Sequence, residues 1–392
     1  MRLVVAALLV SLPLSLAHAQ ATDAARRLAH DAIVVDTHID APSELIDHWY
    51  DLGEATPSRE FDYPRAREGG LDVAFMSIYT SAEEDDAGTA WQSAHTQIDA
   101  VEALVQRHPD RFALLRSPRD LARLQKGGKV LLALGMENGA PIGDDLKQLA
   151  AFHARGVRYI TLAHGRNNRI SDSATDTAPR WHGLSPFGRE VVKEMNRLGI
   201  MVDVSHLSED AIRQAVEASS VPVIASHSAL RHFTPDFQRN ISDANVKAIA
   251  AKGGVVQVPF GSIFIDAGAA QTYSTYLRER EAFRMAQQAA IAAGKTATGT
   301  EPQMPTLQPT ALAAVLDNID RVVKLAGIDH VGIGSDFDGV SGHLAAELHS
   351  VADYPVLVAG LQQRGYSDGD IRKILGGNLL RVWTAAERAA TP

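Results

Sequence analysis

The chain has 392 residues, 45% of them apolar, 22% charged and 6% aromatic, an apolar share that excludes wholesale disorder. Its 38 basic residues face 47 acidic ones, and the formal charge of −9 disfavours nucleic acid as a partner. Cysteine is absent, which excludes disulfides, thiolate metal sites and a cysteine nucleophile and leaves only His, Asp and Glu as metal ligands.

Residues 1–19 open with one basic residue, Arg2, run apolar from Leu3 to Leu16 and end in Ala17-His18-Ala19. The run falls short of the ~20 apolar residues that span a bilayer, and the small-x-small ending fits a cleavage site. A secretory signal peptide is therefore expected at 1–19, with a periplasmic or secreted protein and no stable membrane anchor. A cysteine-free chain suits that compartment, where disulfides are permitted but not required.

Residues 20–392 are expected to form one domain, in which short Val/Ile/Leu-rich runs alternate with amphipathic helical stretches. The candidate strands are 33–40, 73–80, 130–138, 157–164, 200–206, 221–228, 254–260 and 330–339. Each is rich in β-branched residues without alternation, as in strands buried on both faces of a parallel sheet. Segments 97–106, 186–198 and 210–217 read as helices, with Gly199 just past the second and Ser208 ahead of the third. Eight βα units predict an α/β protein of the (β/α)8 TIM-barrel class, although an open doubly wound sheet gives the same local pattern.

The ionisable residues fall at strand ends: His38, Asp40, Glu137, His164, His206, His227 and Asp336. In a barrel those ends converge on the face where catalytic residues gather, whereas an open sheet spreads them across its width. Closure and a site are thus supported together.

His38 and Asp40 are alternate residues of one strand and share a face. A His-x-Asp pair is also common as a plain hydrogen-bonded strand end. Glu137 closes an apolar run, where a buried carboxylate needs a cation, either a metal or a nearby Arg or Lys. His206 and His227 end consecutive strands within reach of one ion, and neutral imidazole suits zinc. Either His alone reads more readily as a structural residue. Glu137 can then bridge two ions about 3.5–4 Å apart. Asp40, Glu137 and Asp336 in one pocket raise one another's pKa unless cations offset them. His164 can contact an oxyanion or a substrate carbonyl, and Asp336 can act as ligand or as proton carrier. Arg239, in the loop after the sixth strand, can pair with a carboxylate, although on sequence alone a solvated Arg is the commoner outcome. Asp338 reads as a turn residue before Gly339. No Gly-x-Ser-x-Gly elbow occurs, and Gly253-Gly254 precedes a strand instead of opening a helix.

These residues lie in Asp36-Thr37-His38-Ile39-Asp40-Ala41-Pro42, Gly135-Met136-Glu137-Asn138-Gly139 and Tyr159-Ile160-Thr161-Leu162-Ala163-His164. Further stretches are Gly183-Leu184-Ser185-Pro186-Phe187-Gly188, Asp203-Val204-Ser205-His206, Ala225-Ser226-His227-Ser228 and Gly332-Ile333-Gly334-Ser335-Asp336-Phe337-Asp338-Gly339. Together they resemble the membrane dipeptidase (renal dipeptidase) family of zinc peptidases, in the family's order from about residue 30 to 385. The resemblance implies a (β/α)8 barrel carrying two Zn2+ ions, one bound by His38 and Asp40 and the other by His206 and His227, with Glu137 bridging. It implies His164 and Arg239 as substrate contacts, with Asp336 beside the metals as the proton-transfer carboxylate. The implied reaction is hydrolysis of free dipeptides, L,D-dipeptides included, by a metal-bridging hydroxide, with Arg239 holding the terminal carboxylate. Some members open β-lactam rings, and a homodimer is also implied. Manganese or cobalt suits the same ligands.

The chain departs from mammalian members in lacking cysteine and an apolar C-terminal tail, and it carries Asn318 where the family often has His. Two alternatives stand beside the dipeptidase reading. One is another metal-dependent amidohydrolase, acting on a β-lactam, lactone or N-acyl amino acid; the other is a non-catalytic exported metal-binding protein. Arg239 speaks against the first and Asp336 against the second. Between Phe260 and His330 lie 69 residues, more than one crossover helix needs. An insert at about 266–309 is expected, helical over 273–293, lying over the active face as a lid or an oligomer contact.

Overall fold

The apolar runs form strands buried on both faces. A computed structural model describes residues 21–296 and 298–391, so the expected signal peptide lies outside the described residues. The first strands are β1 (Val34–Ile39), β2 (Leu71–Tyr79), β3 (Phe112–Leu114), β4 (Val130–Glu137) and β5 (Val157–Thr161). They are followed by β6 (Met201–Asp203), β7 (Ile224–Ala225), β8 (Val255–Val258) and β9 (Val331–Ile333). Eight of them stand side by side in the order β1-β2-β4-β5-β6-β7-β8-β9, every pairing parallel. This is the (β/α)8 barrel.

The ring is joined just beyond β9. Ile39 bridges Phe337, the Asp40 N–H donates to the Phe337 carbonyl at 2.9 Å, and the Asp336 N–H donates to the His38 carbonyl at 3.1 Å. Buried Asp36 staples the same seam, accepting the Ser335 N–H at 2.9 Å and the Tyr354 hydroxyl at 2.5 Å. The first and last strands therefore meet at the end where the ionisable residues lie.

Two apolar layers hold the wall. Inside the barrel, Val73, Phe75, Leu131, Ala133, Tyr159, Met201 and Val255 pack with Leu379, Val382 and Trp383 of the C-terminal helix Asn378–Ala389. Trp383 is fully buried with its ring 5.2 Å from Phe75, so truncating it to Ala would cost about 3–5 kcal/mol. Outside, the flanking helices bury their apolar stripes against the other strand faces.

The expected strands over 200–206 and 221–228 shrink to three and two paired residues. Past those points Asp203 replaces the ladder, its Oδ1 accepting the N–H groups of Ser205 at 3.1 Å and Ser226 at 2.8 Å. β3 was not expected. It occupies the edge of β4 at Val130–Leu132, below the stretch Leu134–Glu137 that pairs with β5. Helix Pro186–Leu198 has the expected ends: Ser185 accepts the Gly188 N–H at 2.8 Å, and Gly199 closes it at φ +77°.

The insert carries helix Ala267–Ala292, which starts earlier than 273 because Asp266 caps it, accepting the Ala269 N–H at 2.8 Å. Only Ala269 and Ala270 of this helix are fully buried, and no helix or strand occurs among the described residues from 295 to 310. No helix among the described residues is long and apolar enough to cross a membrane.

Candidate metal centre

Parallel strands deliver their C-terminal ends to one rim, and the predicted residues meet there. His38 lies on β1 with Asp40 just past it, and Glu137 ends β4. His164, His206, His227 and Asp336 lie within a few residues of the ends of β5, β6, β7 and β9. His206 and Asp336 turn into the mouth with φ of +67° and +65°, conformations that are costly for residues with a Cβ and that concentrate at functional sites.

Glu137 is the centre of the cluster. Its Oε1 lies 3.1 Å from His206 Nε2, 3.2 Å from His227 Nε2 and 3.5 Å from His164 Nε2. Its Oε2 faces the other way, 3.4 Å from His38 Nε2, and accepts the Ser77 hydroxyl at 3.2 Å. Asp40 Oδ2 is 3.5 Å from His38 Nε2, and Asp336 offers a ligand atom within 4.8 Å of those of both residues. Gly339 must lack a side chain, because a Cβ there would run into the Asp40 and Asp336 carboxylates. One carboxylate thus faces two sets of nitrogen and oxygen donors.

The electrostatics follow from burial. Asp336 is pushed well above the usual carboxylate range by burial and then by the charge of Asp40. Burial also opposes charge on Glu137, yet His38, His164 and the hydrogen bonds of His206 and His227 hold it well below its ordinary value. Burial, followed by Arg239 for His206 and His38 for His227, drives both imidazoles well below theirs. His38 moves the other way. Burial opposes its charge, but Tyr159, Asp40 and Glu137 together raise it well above the ordinary imidazole value.

The donor set fits a divalent metal. His38 Nε2 is buried without a hydrogen-bond partner, although it points between two carboxylates. His206 Nε2 and His227 Nε2 are 2.8 Å apart, a contact that is favourable only with a proton or a cation shared between them. Imidazole and carboxylate without thiolate suit zinc, manganese or cobalt.

Arg239 is 4% exposed, so the surface alternative is excluded. Nη1 donates to Ser228 Oγ at 3.2 Å and Nη2 to the His227 carbonyl at 2.9 Å, while the buried Nε has no partner. No carboxylate among the described residues forms an ion pair with this guanidinium, whose Cζ stands 5.2 Å from the Phe264 ring centre. Buried Asn318 fixes the loop that carries it, accepting the Leu230 N–H at 2.9 Å. Asp338 does occupy a turn, at φ +63°, and its carboxylate also accepts the N–H groups of Glu60 at 2.9 Å and Phe61 at 3.2 Å.

The insert reaches across this face. Glu281, Arg284 and Met285 of its helix share a polar cavity of about 290 Å³ with Asp86 after β2, Asn138 after β4 and Arg166 after β5. Tyr273, on the same helix, packs its ring edge-on to Phe237 at 6.3 Å and lies in the fields of Asp336 and Arg239. Sequence reasoning put the insert over this face but did not single out Tyr273 within it, nor Tyr159, Asp203 and Ser226 behind the imidazoles. A Tyr, Asp or Ser in a buried apolar run was the available signal, since each must find a hydrogen-bond partner there.

The comparisons agree with this architecture. The family model described as membrane dipeptidase (peptidase family M19) matches residues 22–392. Dipeptidase tcpJ of Claviceps purpurea is 33% identical over 336 residues, covering 84% of this chain and 70% of its own. The probable dipeptidase PvdM from Pseudomonas aeruginosa superposes with a TM-score of 0.76 at 27% identity, covering 94% of this chain and 98% of its own. A metallo peptidase from Rhodobacter sphaeroides, liganded with a phosphinate mimic of L-Ala-D-Ala, shares the fold with a TM-score of 0.74 at 24% identity, over 91% and 100% of the two chains. A barrel with a Glu137-centred donor cluster at its mouth and a family match over nearly its whole length make this chain a member of the membrane dipeptidase family, peptidase family M19, and with it a metal-dependent hydrolase.

Proposed function

We propose that the chain is a dinuclear zinc dipeptidase that hydrolyses free dipeptides, L,D-dipeptides included. The observation that carries the substrate class is Arg239: a buried guanidinium without a protein carboxylate beside a metal-type donor cluster. A buried cation needs an anion, and the terminal carboxylate of a dipeptide supplies one in bidentate geometry.

In this reading His38 and Asp40 would hold one ion, His206 and His227 the other, and Glu137 would serve both. When bound, such ions supply Lewis acidity toward the scissile carbonyl and a water acidified to near neutrality. Arg239 fixes the substrate's carboxylate end, which sets the distance of the scissile bond from Glu137. His164, a quarter exposed and 3.5 Å from Glu137 Oε1, faces the carbonyl oxygen as a hydrogen-bond donor. Asp336 takes up the proton released at the centre and returns it to the leaving amine. Its buried position beside His38 and Asp40 places it to hold a proton between those events. The peptide nitrogen leaves as an amine, the carbonyl carbon keeps the water oxygen as a carboxyl group, and the balance of the reaction is one water added across one peptide bond.

An exported, dimeric enzyme is part of the same reading, supported by the leader-like residues 1–19 and the family resemblance. The test is metal analysis of the purified protein together with turnover of L,L- and L,D-dipeptides, their C-terminal amides and N-acyl amino acids. Two zinc ions per chain and hydrolysis confined to free dipeptides are expected. Two ions with no dipeptide turnover, or equal turnover of the amides, would overturn the proposal.

A further inference from the structure

Each of two candidate ligands is backed by a hydroxyl whose own proton is already committed. Tyr159 donates its hydroxyl proton to the Thr37 carbonyl at 2.9 Å, and a carbonyl can only accept. The same oxygen lies 2.8 Å from His38 Nδ1, so His38 must be the donor in that contact. Behind the second site, Asp203 Oδ1 is occupied by the N–H groups of Ser205 and Ser226, and its Oδ2 accepts Thr161 Oγ1 at 2.5 Å and Ser226 Oγ at 2.6 Å. With its proton directed at Asp203, Ser226 Oγ can only accept from His227 Nδ1, 2.8 Å away. Both arrangements place a proton on Nδ1 and leave Nε2 for the centre. Those Nε2 atoms are the ones that face Glu137, at 3.4 Å for His38 and 3.2 Å for His227.

We propose that Tyr159 and Ser226 are positioning residues, each accepting the Nδ1 proton of one imidazole and so aiming its Nε2 at one of the two metal positions. Thr37 and Asp203 are the anchors that orient them. The inference rests on the ligand assignment above. It adds that each ring has its own acceptor, Tyr159 on β5 and Ser226 just past β7, in a network where the Thr37 hydroxyl also donates to the Ser226 carbonyl at 2.6 Å and the His38 and His227 rings stack at 3.7 Å. No His206 or His164 Nδ1 contact of this kind occurs among the described residues, where His38 and His227 are the rings held in this way.

A packing role alone is separable from this one. The Tyr159 ring sits 5.4 Å from Phe75 and against Gly135, where a Cβ would run into it. Tyr159→Phe keeps that ring and removes only the acceptor, and Ser226→Ala likewise keeps the local shape. The experiment uses the full chain, freed of metal by chelation and titrated with zinc against a chromophoric chelator. Occupancy of each position at one zinc equivalent is read by anomalous diffraction, and ring tautomers are read from imidazole 15N shifts. Tyr159→Phe is expected to weaken the position at His38 by roughly 10–100-fold and to affect the position at His206 and His227 several-fold less. Ser226→Ala is expected to do the converse and to abolish the Nδ1–H preference of His227 in metal-free protein.

Unchanged affinities in Tyr159→Phe, or equal weakening of both positions, would overturn the proposal. Tyr159→Phe decides alone if Ser226→Ala does not fold. Failure of the wild-type chain to bind zinc would instead remove the ligand assignment. The His227 tautomer in metal-free protein still reads the relay in that case, and its loss from Nδ1 in the wild type would refute it.

Discussion

Glu137 and His38 approach to 3.4 Å at the mouth of the barrel, both side chains buried, and the nitrogen involved has no hydrogen-bond partner. The other Glu137 oxygen meets three further imidazoles, so this carboxylate joins every ligand candidate except Asp40 and Asp336 directly. Glu137→Gln halves the acceptor capacity and removes the negative charge. Metal content and dipeptide turnover are expected to fall together, each by more than about 100-fold. Full metal occupancy with lost turnover, measured by atomic emission alongside kinetics, would assign Glu137 to chemistry alone.

Arg239→Ala tests the proposed contact with the substrate's carboxylate. Hydrogen bonds to a charged group are worth about 1.5–3 kcal/mol, so KM for free dipeptides is expected to rise roughly 10–150-fold. Both metals are expected to stay, because Arg239 touches the cluster only through Ser228 Oγ and the His227 carbonyl. Dipeptide C-terminal amides are expected to be equally poor substrates for wild type and variant. A normal KM in Arg239→Ala would take the residue out of the site.

Glu60 gives the pH dependence of stability. Burial, and then the charge of Asp338, push its carboxyl up to about 7 despite the hydrogen bond it accepts from the Asp338 N–H at 2.5 Å. The folded state therefore holds a proton that the unfolded chain has released between its ordinary value of 4.5 and about 7. Stability from this group is complete below 4.5, falls as pH rises through about 7, and is bounded by roughly 3 kcal/mol. Glu60→Gln keeps the carbonyl acceptor and deletes the titration. In urea melts at saturating metal, the variant is expected to gain on the wild type between pH 5 and 8 by up to ~3 kcal/mol. Parallel pH profiles would refute it.

The barrel and the rim residues were legible because parallel strands buried on both faces leave unbroken apolar runs, and because polar residues then mark only the ends. Their extent was not. The runs through His206 and Ser228 look like strands, but Asp203 takes over the N–H groups that a longer ladder would have used. β3 has three residues and no periodicity to detect. Arg239 reads as a surface residue because burial of a guanidinium depends on tertiary neighbours such as Phe264, which belongs to the segment after β8. Tyr159 and Ser226 were hidden for the same reason: their partners, Thr37 and Asp203, belong to other strands.

The insert is the part of the chain that tests substrate selection. Its helix leaves after β8, places Tyr273 beside Phe237 on the Arg239 side, and ends its reach at Glu281, Arg284 and Met285 against the loops after β2, β4 and β5. Asp85, Asp86, Asp176 and Glu281 outnumber Arg166 and Arg284 around the cavity it covers, so the covered space favours a cationic over an anionic side chain. The helix gives the barrel core little, since Ala270 is its one residue in the core cluster and Tyr273 packs against it. Deleting 268–305 is therefore expected to leave the fold and both metals in place. Discrimination among dipeptides that differ in side-chain charge is expected to fall several-fold in kcat/KM, a change of about 1 kcal/mol or more in differential binding. The measurement is a kcat/KM panel with Lys-, Ala- and Glu-containing dipeptides on both proteins, with circular dichroism as the check on folding. An unchanged order and spread of kcat/KM in a folded deletion protein would show that the insert does not select substrate.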